Sequence, residues 1–152
     1  MKPTILFIGR FQPLHKGHLT IIKKLSKKVK LIKIGIGSAQ HKNTKDNPFS
    51  ASERKAMLKT ALNEAKIKNY KLYLIPDINS NSRWVAHVKK IVGSFNTVHS
   101  GNPLVLRLFK AKHIPTKRIT EIRPYSSTRI RAKLSRGISV AKDVPKSISK
   151  YL

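Results

Sequence analysis

The sequence predicts an α/β fold in which helices cover both faces of a parallel sheet. Two observations carry this expectation. Apolar runs of strand length alternate with helix-like runs along the chain, the βαβα order of such folds. The first run, Ile5-Leu6-Phe7-Ile8, leads into Gly9-Arg10-Phe11-Gln12-Pro13-Leu14-His15-Lys16-Gly17-His18 and then an amphipathic stretch, which reads strand, loop, helix.

The elements follow in order. Thr4 to Ile8 forms the first predicted strand, with a helix from about Lys16 to Lys28 and a strand near Val29 to Ile36. Ser50-Ala51-Ser52-Glu53 has capping-box spacing, so a helix runs from there to about Lys66. Lys71 to Ile75 reads as a short strand closed by Pro76, and Trp84 to Val92 is helical in pattern. Thr97-Val98-His99-Ser100 reads as a buried strand and Leu104 to Lys110 as a short helix. A weaker strand near Thr116 to Ile119 precedes helical patterns at Thr128 to Leu134 and Pro145 to Leu152. No repeat, low-complexity tract or linker interrupts this order, so residues 1–152 are expected to form one domain, with the helices from about residue 126 packed on it. In such folds ligands bind beyond the carboxyl ends of the strands. Residues 9–18, 37–48 and 100–103 are therefore expected to converge.

Composition narrows the function classes. A 152-residue chain with 39% hydrophobic content can bury a substantial core. No apolar run approaches the roughly 20 residues of a membrane span, and no signal-peptide pattern precedes the first strand. Cysteine is absent, which excludes disulfides, thiolate catalysis and Cys-based metal sites. A cytoplasmic protein is expected. Thirty-three Lys and Arg against six Asp and Glu give a formal charge of +27. Such a field attracts anionic metabolites and predicts salt-sensitive, non-specific adhesion to nucleic acid. The basic residues are spread along the chain, and no RRM, KH or zinc-finger signature accompanies them. A basic nucleic-acid-binding protein is the rival from a different class.

The first loop suits an anion. Gly9 permits a sharp turn or a close ligand, Pro13 stiffens the loop, and Gly17 allows close approach at the helix start. A helix N-terminus offers unpaired N–H groups and a positive dipole end to phosphate. His15 and His18 can donate to phosphate oxygens there, or simply cap and pack, and Arg10 adds a permanent positive charge. Ser126, Ser127 and Thr128 mark a second candidate cap or phosphate-binding helix start, with Arg129 and Arg131 close by. Trp84, the only tryptophan, can stack an aromatic cation or pack in a core. Asp77 and Asn81 can read a carboxamide or cap the helix bearing Trp84.

The string Gly9-Arg10-Phe11-Gln12-Pro13-Leu14-His15-Lys16-Gly17-His18 resembles the HxGH motif of the Rossmann-like nucleotidylyltransferases, in the longer form of the nicotinamide mononucleotide branch. Arg10 and Gln12 stand where the pantetheine-phosphate and cytidylyl branches carry threonine and aspartate. Four more blocks are similar to the archaeal-type nicotinamide-nucleotide adenylyltransferases, in family order: Gly37-Ser38-Ala39-Gln40 with Asn47-Pro48-Phe49 and Glu53-Arg54; Asp77 to Val85; Ser100 to Val105; and Tyr125 to Arg131. Two departures stand out. Lys42-Asn43-Thr44 replaces the family's S-H-T, and Ser127 and Arg129 stand where close relatives have glycine and glutamate.

The resemblance implies adenylyl transfer from ATP to nicotinamide mononucleotide, giving NAD and pyrophosphate. It implies His15, His18, Arg10 and Arg131 as a catalytic charge clamp on the triphosphate. It places Gly9, Arg10, Phe11, His15, Gly17, His18, Asn102, Ser126, Ser127, Thr128 and Arg131 at ATP, and Gly37, Ser38, Gln40, Asp77, Asn81 and Trp84 at the acceptor. A Mg2+ ion is expected with ATP, with no protein metal site, and a homo-oligomer is expected. FMN or pantetheine phosphate as acceptor is the nearest alternative.

Overall fold

The computed structural model describes residues 1–152. The chain runs β1 (Thr4–Gly9), α1 (Lys16–Ser26), β2 (Leu31–Ile36), α2 (Ala51–Glu64), β3 (Tyr70–Leu74), α3 (Asn81–Val92), β4 (Thr97–Ser100), α4 (Pro103–Lys110), β5 (Thr116–Arg118) and α5 (Ser127–Ser135). A 3-10 helix at Lys146–Tyr151 ends it. The strands form one sheet in the order β3-β2-β1-β4-β5, every neighbouring pair parallel. The expected parallel sheet is therefore present, and strand order reverses between β1 and β4.

Strand alternation explains why β1 is apolar at four consecutive positions. Ile5 and Phe7 join the larger core with residues of α1, α2 and α5. Leu6 and Ile8 point the other way, into a second core with Val85, Val88 and Val92 of α3 and Val105 and Phe109 of α4. A central parallel strand buried on both faces has no polar side to show. Fully burying a side chain such as Leu6 contributes about 1.5–3 kcal/mol.

Helix ends follow local chemistry. Ser50 Oγ accepts from Glu53 N at 3.1 Å, and Glu53 Oε1 accepts from Ser50 N at 3.0 Å, so α2 starts at the predicted capping box. Gly93 adopts φ +77°, a left-handed conformation that ends α3 and favours glycine. Elsewhere the boundaries differ from expectation. α1 stops at Ser26 and β2 starts at Leu31, because Lys28 N and Lys30 N turn to Leu25 O and Pro3 O. α3 begins at Asn81, one turn earlier than its apolar pattern. The last predicted helix is the 3-10 turn, where Ile148 enters the larger core and Tyr151 Oη lies 3.1 Å from Thr60 Oγ1 of α2.

Candidate active site

Gly9 closes β1, and the next residues fold under the start of α1. Phe11 adopts φ 54°, which costs a non-glycine residue of order 1–3 kcal/mol. Its ring is buried against Phe7, centroids 5.9 Å apart, and meets the His18 ring edge-on at 5.0 Å. Burial offsets the strain, and Phe11 supports His18 from beneath. Gln12 is also buried. Its Nε2 donates to Phe49 O and its Oε1 accepts from Phe49 N, both at 2.9 Å, which ties the loop to the chain entering α2. Gln12 is thus a brace.

His15 is the N-cap of α1. Its Nδ1 accepts from His18 N at 3.3 Å, and His18 Nδ1 accepts from His15 N at 3.2 Å. Two backbone N–H groups aimed at the two Nδ1 atoms leave each ring proton on Nε2. The rings stack at 3.7 Å, and Tyr125 lies beyond His15 at 6.3 Å. Burial pushes His15 from 6.5 down to about 4, against an opposing pull from Asp143. Burial, then the neighbouring ring, hold His18 well below its usual value. The expected charge clamp is corrected here: in the free protein both imidazoles are neutral Nε2–H donors, because burial disfavours the cation.

The start of α1 is also less open than its sequence suggests. Lys16 N donates to Asp143 O at 2.9 Å and His18 N to His15, so among these first turns only Gly17 N is left without a partner. A Cβ on Gly17 would lie 2.9 Å from His15 Cε1 and 3.3 Å from Tyr125 Cβ. Glycine is needed there so that the His15 ring can lie over the helix.

The start of α5 closes on the same loop. Ser126 is the N-cap, accepting from Arg129 N at 3.4 Å. Ser127 Oγ donates to Pro13 O at 2.9 Å, and Arg131 donates from Nη1 to Gln12 O at 2.8 Å and from Nη2 to Thr128 Oγ1 at 3.3 Å. The N–H groups of Ser127 and Thr128 have no intrahelical partner. Burial, then nearby Arg10, push the Arg131 guanidinium below its ordinary value, with Asp46 opposing. Arg10 is exposed and donates to Asn47 Oδ1 at 3.2 Å. Two neighbouring cations and a set of free donors attract an anion.

A second polar group gathers beyond β2 and β3. Gly37 N donates to Gly9 O at 2.8 Å, which joins the two loops at their roots. Ser38 Oγ donates to Asp77 Oδ2 at 2.8 Å, and His41 Nε2 lies 3.5 Å from the same oxygen. The Gln40 side chain pairs with the Asp77 backbone at 2.9 and 3.2 Å. Asp77 and Asn81 do not cap α3. Its N-cap is Ser80, which makes no side-chain cap bond, and Asn81 is exposed. Trp84 is half-buried, edge-on to Phe109 at 5.6 Å. Asn102 caps α4 by accepting from Leu104 N at 3.0 Å, and no bond joins it to the other loops. Residues 9–18 and 37–48 are thus bonded together, whereas 100–103 adjoin them through the β1–β4 pairing alone.

The largest omission from the sequence reading is Arg54. It is fully buried on the stripe Arg54, Met57, Leu58, Ala61, Leu62 of α2, where a charge at an apolar position was the available signal. Asp143 is the other: its carbonyl meets α1 and its carboxylate pairs with Lys133 of α5 at 2.9 Å. No group of three or more acidic or histidine side chains could hold a metal ion. Two open grooves of about 560 and 410 Å3 lie elsewhere, lined by residues of α2 with β3 and of α4 with β5. The site is defined by converging donors.

The cytidylyltransferase-like family model matches residues 6–133. The chain is 43% identical over 154 residues to the nicotinamide-nucleotide adenylyltransferase of Archaeoglobus fulgidus, covering 96% of this chain and 88% of that protein. It is 41% identical over 143 residues to the enzyme of the same name from Thermoplasma volcanium, covering 93% and 80%. Among solved structures it is similar, with TM-score 0.79 and 26% identity, to a bifunctional NMN adenylyltransferase/ADP ribose pyrophosphatase from Francisella tularensis complexed with AMP and a manganese ion. That match covers 95% of this chain and 44% of the bifunctional protein. By sequence along nearly its whole length, and by fold, the chain belongs to the nicotinamide-nucleotide adenylyltransferase family.

Proposed function

We propose that the protein transfers the adenylyl group of ATP to nicotinamide mononucleotide, forming NAD and pyrophosphate. The observation that carries this reading is a donor set without a base: two neutral Nε2–H groups, Arg10, Arg131 and the α5 N-terminus around one loop. An oxygen of the acceptor 5′-phosphate attacks the α-phosphorus of ATP in line. A new P–O bond forms, the bond from the α-phosphorus to the bridging oxygen of the β-phosphate breaks, and pyrophosphate leaves with the electron pair. The attacking oxygen is already ionised, so no side chain needs to take its proton. Catalysis then rests on positioning and on neutralising charge on the triphosphate. His15 and His18 donate from Nε2, Arg10 and Arg131 supply charge, and the N–H groups of Gly17, Ser127 and Thr128 complete the ATP side. Gly9, Phe11 and Ser126 shape that side, and Asn102 borders it. Gly37, Ser38, Gln40, Asp77, Asn81 and Trp84 receive the acceptor.

Mg2+ arrives as part of the nucleotide substrate, held by phosphates and water. No helix is long and apolar enough to cross a membrane. One domain spanning residues 1–152, a cytoplasmic location and a homo-oligomer complete the reading; light scattering at moderate salt tests the assembly. The deciding experiment assays ATP and magnesium with a panel of phosphorylated acceptors. Nicotinamide mononucleotide gives NAD and stoichiometric pyrophosphate. Transfer only to FMN or pantetheine phosphate overturns the acceptor. No nucleotidyl transfer, with nucleic-acid binding that survives about 200 mM salt, overturns the reaction.

A further inference from the structure

The fully buried Arg54 side chain is bonded through all of its guanidinium nitrogens. Its Nε donates to Ser50 O at 3.2 Å. Nη1 donates to Arg10 O at 3.0 Å and to Gly37 O at 2.8 Å. Nη2 donates to Ser38 O at 3.1 Å, His41 O at 3.3 Å and Ala39 O at 3.5 Å. No carboxylate bonds it directly, although Asp77, paired with His41, lies close enough to favour its charge. A buried charge without a bonded counter-ion is a poor device for stability, and a leucine at this position would continue the apolar stripe of α2 without it. What leucine cannot do is hold carbonyls. Nη1 bonds the first loop and the second loop from one nitrogen, on a planar fork that cannot move one partner without the other.

We propose that Arg54 is a positioning residue for both substrates at once: it sets residues 9–12 and 37–41 against each other, and so the spacing between the ATP side and the acceptor side. This rests on the two-substrate reading given above. Arg54 touches neither substrate in this account. It acts through the backbone that carries Arg10 on one side and Ser38 and Gln40 on the other. An error near 1 Å in such spacing costs about 10²-fold in rate.

The test uses the full chain. Arg54→Lys keeps the charge but replaces the fork with one ammonium. In this variant the KM values for ATP and nicotinamide mononucleotide rise together and kcat/KM falls by about 10²-fold. Without any nucleotide, amide exchange quickens at residues 9–12 and 37–41 and is unchanged in α3 and α4. A lower Tm with both KM values intact, or a change in one KM alone, overturns the proposal. Wild-type protein supplies a second readout that does not depend on the variant folding. ATP alone slows exchange at 37–41 as well as at 9–18, and slowing confined to 9–18 overturns the coupling. A wild-type protein inactive toward nicotinamide mononucleotide would count against the proposed reaction, while the nucleotide-free exchange comparison would still decide the role of Arg54.

Discussion

The two sides of the site are built to different standards of rigidity. Residues 9–18 are held from distant parts of the chain, by Arg131 on Gln12 O, Ser127 on Pro13 O and Phe49 on the Gln12 amide. Beneath them runs a ladder of rings from Phe7 through Phe11 and His18 to His15. Beyond β2 and β3, Arg54 holds the backbone of residues 37–41, but the side chains of Ser38, Gln40 and His41 meet only Asp77, at partly or fully exposed positions, and α3 begins without a side-chain cap. Buried hydrogen bonds cannot be exchanged for water without leaving unpaired groups that cost about 1–3 kcal/mol each, whereas exposed ones can. The contrast teaches where preorganisation matters: donors must already be aimed where charge builds during transfer. An acceptor ring can be met by groups that adjust.

The sharpest way to break this contrast is His18→Ala. Removing one fixed donor lowers kcat by about 10²–10³-fold, with the fold retained by circular dichroism. A change smaller than tenfold would mean that the rigid side is rigid for stability alone.

Acid tests the same side through protonation. Because the folded-state value of His15 lies near 4 against an ordinary 6.5, the unfolded chain binds more protons between those values. Stability is therefore full above about pH 6.5 and is lost as pH falls toward 4, by about 3 kcal/mol for this ring alone. His18 and the buried His99 of β4 shift in the same direction. With six acidic residues in the chain, carboxylate protonation has little scope to mask the effect. Urea midpoints from pH 7 to 4.5 measure it, and His15→Gln flattens the slope. An unchanged slope would place the acid sensitivity elsewhere.

The smallest effect probes the adaptable side. Trp84→Ala raises the KM for nicotinamide mononucleotide by about tenfold, the scale of a lost aromatic contact, and leaves that for ATP in place. Equal change in both would assign the ring to packing on Phe109.

Much of the molecule was legible before any coordinates. The apolar run of β1, the Ser50–Glu53 box and the glycine and histidine spacing of residues 9–18 each reflect a local rule, so each placed its element correctly. The misreadings were of another kind. Periodicity showed neither that Asp143 covers the start of α1 nor that Ser80, with no cap bond, begins α3. His15 and His18 looked like cations because their burial is created by Phe11, Tyr125 and the loop between them, and no spacing in the chain encodes desolvation. Arg54 stands beside the Ser50–Glu53 box, yet apart from Ser50 at the helix cap its five carbonyl partners come from two loops separated along the chain by more than twenty residues.

The sequence by itself determined the α/β order, the parallel sheet, the two loops and the family, because each depends on residue type at short range or on a motif read in line. Only the tertiary structure decided the protonation of the histidine pair, the occupancy of the α1 N-terminus and the buried guanidinium joining the loops. These are properties of distance and of exclusion from water, and both arise only when remote segments pack together.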